Sequence, residues 1–396
     1  MALPRLAEST LALGRDALTA LLGLDRLYRA ESGDPDGLAV LDLSEPGEFT
    51  PDAFAGYPEA EARFRELARR AAGLPEADRR AYYEDLCRSS IAFATWRDRG
   101  LSFERQLTEF LQVPAAPASD AELAAIEAHL EDGLADAGYR GTLREQCAAW
   151  EADRRVAPED VVATASRLMD EAWTRTEERL LPIPADRSDG MRVTGVTGVS
   201  YNARCNFLGR SVELNTEPVL TRPGLRHLAV HEGYPGHYVQ FTLRTLRYRE
   251  GLVPPDGLIS VVNTASSSVF EGIADHGMAM LGWNETADDR IQALLTRHRA
   301  GIGTGAAWRL HALDWDADRT REWLTGVSLS GGAGWVANRM GFISSPARAV
   351  LIWSYWWGEP VVAAAWNQVP AARRPDFVEF LYGRMHSNRS VAMFAS

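Results

Sequence analysis

No lysine occurs in this chain; every basic side chain other than histidine is arginine. Schiff-base chemistry, an anchored pyridoxal phosphate and a P-loop all require an ammonium group, so these function classes are excluded. Cysteine is scarce as well. Cys87, Cys147 and Cys205 lie far apart with no CxxC pair, which argues against a disulfide framework or a thiolate zinc site. Buried or strand cysteines are expected, with Cys205 the candidate if one is a nucleophile. Long apolar runs are missing: the longest, Ala349 to Gly358, has about half the length a bilayer requires and lies between Arg348 and Glu359. The stretch from Met1 to Ala30 is rich in leucine and alanine but interrupted by Glu8, Arg15, Asp16 and Asp25, so it does not read as a signal peptide. Positive charge is in deficit, with 54 acidic against 42 basic residues and a net charge of -12. That disfavours nucleic acid and anionic membrane surfaces as partners. A soluble cytoplasmic protein is the expectation.

The 396 residues, 46% of them hydrophobic, suffice for one large core or two medium ones. Apolar residues recur at helical spacing from Leu11 to Arg29, Glu59 to Ala72, Glu76 to Thr95, Ser102 to Gln112, Asp120 to Ala137 and Pro158 to Leu181. The character changes near Pro182-Ile183-Pro184. From Arg192 to Asn215 the residues are Val-, Thr-, Tyr- and Gly-rich and alternate, as in a small antiparallel sheet or hairpin. Helical spacing then resumes. The expected fold is mainly α, with a small antiparallel β-sheet beside a kinked active-site helix. The expected organisation is an N-terminal helical region over 1–186 and a metal-binding catalytic region over 187–396, packed as one unit.

The densest chemistry lies in His231-Glu232-Gly233-Tyr234-Pro235-Gly236-His237. From average residue usage, such a combination arises by chance in roughly one chain in ten thousand of this length. In a regular helix, histidines six apart are separated by roughly 240° and cannot meet on one ion. Pro235-Gly236 supplies the break that would let them converge. Glu232, beside the first histidine, is placed to act as a general base on water. A rival pair exists in His227 and His231, four apart and on one helical face; His227 otherwise packs in the core or hydrogen-bonds a ligand.

A third ligand is expected from Glu271, in Ser268-Val269-Phe270-Glu271-Gly272-Ile273-Ala274-Asp275-His276. A carboxylate among apolar neighbours is unfavourable unless it binds metal or sits in an ion pair. Asp275, one turn on, is placed to accept the second N–H of a ligand histidine, or is a solvated helix residue. Two imidazoles, one carboxylate and an open position suit catalytic zinc, and the same set also holds Fe(II).

These residues resemble the bacterial family known as domain of unknown function 885. Its hallmarks are a His-Glu pair, two residues and then Pro-Gly-His-His, followed later by Glu-Gly and by Ser-Tyr-x-x-Gly. Here His231-Glu232 through Pro235-Gly236-His237 matches the first, Glu271-Gly272 the second and Ser354-Tyr355-Trp356-Trp357-Gly358 the third. The likeness runs best from Tyr201 to Ser396 and more loosely over the helical first half. The chain departs in carrying Tyr238 where the family has its second adjacent histidine, and it is shorter than typical members. The resemblance implies a helical, gluzincin-like metallohydrolase.

Tyr355 is then the candidate for hydrogen-bonding a developing oxyanion, or else an aromatic core residue. Arg348, Arg339 and Arg204 are candidate clamps for a substrate carboxylate, or else ordinary surface arginines. His276 and His386 are alternative proton donors. The strand around Tyr201 to Asn206 is a possible docking edge for an extended peptide. The expected function is zinc-dependent cleavage of an amide or peptide bond. Two others stand beside it: zinc or iron chemistry on a small metabolite, to which the Trp-rich stretch from Trp335 to Trp366 is suited, and a non-catalytic protein with a closed structural metal site.

Overall fold

Apolar residues three and four apart recur through most of the chain, and the computed structural model, which describes residues 5–34, 36–199 and 201–394, folds them into helices joined by short connections. The fold is mainly α-helical with two small sheets. Contacts group the chain into two units drawn from interleaved stretches rather than dividing it at residue 186. The first is Met1–Ala115, Gln240–Ile273 and Trp357–Ser396; the second is Ala116–Val239 and Ala274–Trp356. Three continuous helices, His237–Arg249, Ser267–Met280 and Ile352–Gln368, begin in one unit's stretch and end in the other's. No helix among the described residues is long and apolar enough to cross a membrane.

In the first unit, helices Glu8–Ser32, Tyr57–Ala71 and Ala77–Arg99 pack their apolar faces together. Leu18, Leu21, Phe64, Leu67 and Phe93 are buried there. Strand β1 (Ala39–Asp42) is positioned by the first helix, because the Asp25 carboxylate accepts from the amides of Leu38 at 2.6 Å and Ala39 at 2.9 Å. A charge-assisted acceptor thereby satisfies backbone donors that the short strand leaves unpaired.

The second unit builds a three-stranded sheet from β2 (Arg192–Val196), β3 (Ala203–Asn206) and β4 (Ser211–Asn215), in the order β2-β4-β3. The sheet is mixed, not antiparallel as the sequence suggested. Strands β3 and β4 form the expected hairpin, but β2 pairs in parallel with the other edge of β4. Alternation of side chains identifies a strand but not its direction, which the crossing connection decides. In the first unit, β5 (Ile259–Val261) pairs antiparallel with β1.

The helices of the second unit are fixed at their starts by reciprocal caps at Ser119/Glu122, Thr142/Glu145 and Thr286/Asp289. Between Asp120–Asp136 and Ala287–His311, a core of Leu130, Leu134, Cys147, Trp150, Ile291 and Leu295 is buried. Helix Leu143–Arg154 has no counterpart in the sequence reading. Its apolar stripe is only Leu143, Cys147 and Trp150, too thin to stand out from the charged residues around it. Helix Ile352–Gln368 continues through Pro360.

Candidate metal centre

The chain approaches the site as helix Arg222–Leu228, capped by the Thr221 hydroxyl with Pro223 in its first turn. It then widens into a single π-turn over Ala229–Gly233, where Tyr234 N–H reaches back five residues to the Ala229 carbonyl at 3.2 Å. The Tyr234–Pro235 bond is cis, and a new helix starts at His237. This break replaces the 240° separation of a regular helix with a pair of imidazoles whose ring centres are 4.7 Å apart and nearly perpendicular. Gly236 makes the break possible: a Cβ there would lie 1.8 Å from the His231 carbonyl oxygen.

Helix Ser267–Met280 supplies the acids. Glu271 and Asp275, four apart, share one of its faces. Asp275 Oδ1 lies 2.8 Å from His231 Nδ1 and 3.5 Å from His227 Nε2. Burial opposes its ionisation, yet the charges and hydrogen bonds of His231 and His227 hold its carboxyl well below the usual carboxylate range. With Nδ1 of His231 turned to Asp275, Nε2 is the ring nitrogen that would carry an ion. One turn before Asp275 on the same helix, Glu271 brings a carboxylate oxygen into a group with His231 and His237 whose ligand atoms all lie within 4.8 Å of one another. All three residues are buried. A second group, His227, His231 and Asp275, meets the same distance limit. The two share His231, and the Asp275 contact with Nδ1 fits a supporting carboxylate better than a separate ion.

Glu232 is buried beside His231. Burial, with the Glu232 charge added to it, pushes the Cys205 thiol well above its ordinary value, so Cys205 is a poor nucleophile near neutral pH. Tyr238 belongs to an aromatic cluster with Trp173, Tyr234 and Phe207, and its hydroxyl donates to the Asp189 carbonyl at 3.4 Å. Two features of this region escaped the sequence reading. Tyr234 accepts the Met191 amide at 2.8 Å, tying the break to the chain before β2. Gly277 clears the turn, since a Cβ there would meet Val230 at 2.7 Å and Pro235 at 3.3 Å. The only sequence signal for Gly277 was a glycine inside an apolar helical segment.

The other candidates fall in different places. His276 is buried but lies roughly 140° around the helix from Glu271. Tyr355 is half-buried near Arg339, whose guanidinium burial pushes down to about 10. Arg348 is half-buried in the short helix Pro346–Ala349. Arg204 is half exposed, pairs with Glu213 at 2.9 Å and stacks over Tyr201, so it is engaged at the rim of the sheet. His386 lies in the core of the first unit, where burial and nearby Arg79 push its pKa well below the ordinary value. A histidine kept neutral there does not serve as a general acid.

Comparison with known proteins gives fold alone. No family model and no curated protein matches the chain. A solved structure from Colwellia psychrerythraea, provisionally named a lipoprotein, superposes with a TM-score of 0.58 at 14% identity, over 85% of this chain and 66% of its own. Another from Shewanella oneidensis, provisionally named a lipoprotein of unknown function, gives 0.51 at 13% identity, over 85% and 71%. The chain shares the fold of these proteins. It spans just under two thirds of the length of the first.

Proposed function

We propose that the chain is a metal-dependent hydrolase that cleaves an amide or peptide bond. The observation that carries this reading is the convergence of His231, His237 and Glu271 with Glu232 next in sequence to the first ligand. Two imidazoles and one carboxylate fit zinc with a position left open, and Fe(II) is the alternative occupant. When bound, the ion supplies Lewis acidity to water and to a substrate carbonyl.

The chain's own residues do the rest. Asp275 orients the His231 ring through Nδ1, and His227 Nε2 lies 3.5 Å from the same carboxylate oxygen. Glu232 takes a proton from water and returns it to the leaving amine. Tyr355 or Arg348 donates to the oxygen on which negative charge develops. Strand β3, at the sheet edge, is the place for an extended substrate to pair. The resemblance to the domain of unknown function 885 family supports the reading at these residues.

Elemental mass spectrometry tests it. About one zinc per chain is expected, lost in His231→Ala but kept in Glu232→Gln. Against amide and peptide substrates, Glu232→Gln should lose on the order of 10²–10⁴-fold in kcat. Iron in place of zinc would redirect the work to redox or Lewis-acid chemistry on a small molecule. Absence of metal even after reconstitution would overturn the proposal.

A further inference from the structure

Three buried arginines in the first unit carry more hydrogen-bond donors than their acids take up. The Arg79 side chain is fully buried, that of Arg384 is 6% exposed, and Arg244 is 2% exposed. One oxygen of Asp78 serves two of them, accepting from Arg79 Nε at 3.0 Å and from Arg384 Nη1 at 3.1 Å. Arg79 Nη2 lies 3.3 Å from His386 Nδ1, and His386 Nε2 lies 2.8 Å from the Phe380 carbonyl oxygen. With Nε2 donating to that carbonyl, Nδ1 offers the arginine a lone pair and no charge.

The other acid is Asp256, which accepts the Tyr83 hydroxyl at 3.0 Å. Burial pushes its carboxyl up to about 6 against the opposing charge of Arg79. The neighbouring Gly257 packs on the stem of Arg244, where a Cβ would meet it at 3.4 Å. Arg244 itself donates to a neutral amide, Gln240 Oε1, at 2.8 Å. Tyr82 lies within the fields of Asp256, Arg79 and Arg244 together, so these groups form one cluster.

Three guanidinium groups thus face Asp78 and Asp256, while Glu76 reaches Arg384 through its charge alone. Four of their buried nitrogens have no hydrogen-bond partner among the described residues: Arg79 Nη1, Arg244 Nε, Arg244 Nη1 and Arg384 Nε. A water molecule can satisfy an orphaned donor but cannot neutralise a buried cation, whereas an oxyanion does both. Paired guanidinium N–H groups match the spacing of carboxylate or phosphate oxygens. We propose that this cluster binds a small oxyanion, a carboxylate or a phosphoryl group, with Arg244 and Arg79 as the principal donors. None of the residues assigned to the metal takes part.

The test is thermal unfolding of the full chain near neutral pH in phosphate, succinate or chloride at matched ionic strength. It is run on wild type, Arg244→Met and His231→Ala. A ligand of the folded state raises the midpoint saturably. The expected result is a rise above chloride in wild type and in His231→Ala, with apparent affinity weakened by about ten-fold or more in Arg244→Met. A rise with phosphate alone identifies a phosphoryl ligand, and one with succinate a carboxylate. No rise above chloride in wild type overturns the proposal, whether or not Arg244→Met folds. An undiminished rise in Arg244→Met overturns it as well. A rise abolished in His231→Ala assigns the anion to the metal centre and overturns it too, while leaving the hydrolase reading standing.

Discussion

One oxygen of Asp275 meets two histidines, 2.8 Å from His231 Nδ1 and 3.5 Å from His227 Nε2, and under the proposed metal reading this sets how well His231 would serve an ion. A carboxylate there fixes the tautomer and raises the basicity of the opposite ring nitrogen; an amide fixes it less firmly and adds no charge. Asp275→Asn should therefore lower zinc affinity by about 10- to 100-fold, measured by competition with a chromogenic chelator. Asp256 gives a prediction of a different kind. Its carboxyl titrates near 3.8 in the unfolded chain and is pushed up to about 6 in the folded one, chiefly by burial. Below pH ~4 both states are protonated and no penalty exists. As pH rises toward 6 the unfolded chain releases its proton first, so stability falls by about 3 kcal/mol, at about 1.36 kcal/mol per pH unit, and levels off above the folded value. Asp256→Asn should remove that fall, as read from urea midpoints across pH 4 to 8.

At the scale of elements, the close approach of helices Ser267–Met280 and Ile352–Gln368 depends on two glycines. A Cβ on Gly272 would lie 2.2 Å from the Gly358 carbonyl oxygen, and one on Gly358 would lie 2.2 Å from the Ser268 carbonyl oxygen. Both collisions are with backbone, which no rotamer change relieves. Gly272→Ala and Gly358→Ala should each destabilise by about 1–3 kcal/mol. The double variant should fall short of the sum, since the first alanine has already moved the helices apart. These glycines drew attention in the sequence only as parts of Glu271-Gly272 and of Ser354 to Gly358, where chemistry was the interest; their packing role needs coordinates to see. The same holds for Gly277 against Val230 and Pro235. What could be read was whatever local rules dictate: long helices from their apolar spacing, the hairpin of β3 and β4 from alternation, and a chain break at Pro235-Gly236. Global pairing escaped, including the parallel partner of β4, helix Leu143–Arg154 with its thin stripe, and the buried arginine cluster, whose members come from sequence positions about 165 and 140 apart.

For the whole molecule, the order of residues along the chain and the grouping of residues in space disagree, and the disagreement has a measurable outcome. A cut after residue 186 follows the change from helical to strand-like sequence. It would nevertheless strip the first unit of Gln240–Ile273 and Trp357–Ser396, and leave the second without Ala116 to Asp186. The separated pieces would lose specific partners. Strand β1 would lose β5, Asp78 would lose Arg384, and Trp150 of the Leu130–Leu295 core would lose Ile291. A short unpaired strand exposes backbone donors, and a buried charge left without its partner is strongly unfavourable. Half of a helical core cannot exclude water from its apolar stripe. Fragments 1–186 and 187–396, expressed alone, should therefore show no cooperative thermal transition by circular dichroism and should be degraded rapidly in limited proteolysis. Mixing them should restore a transition, because the missing contacts are non-covalent. A cooperative melt from fragment 1–186 alone would mean that its helices form a core without the later stretches, and the interleaved division would then be wrong.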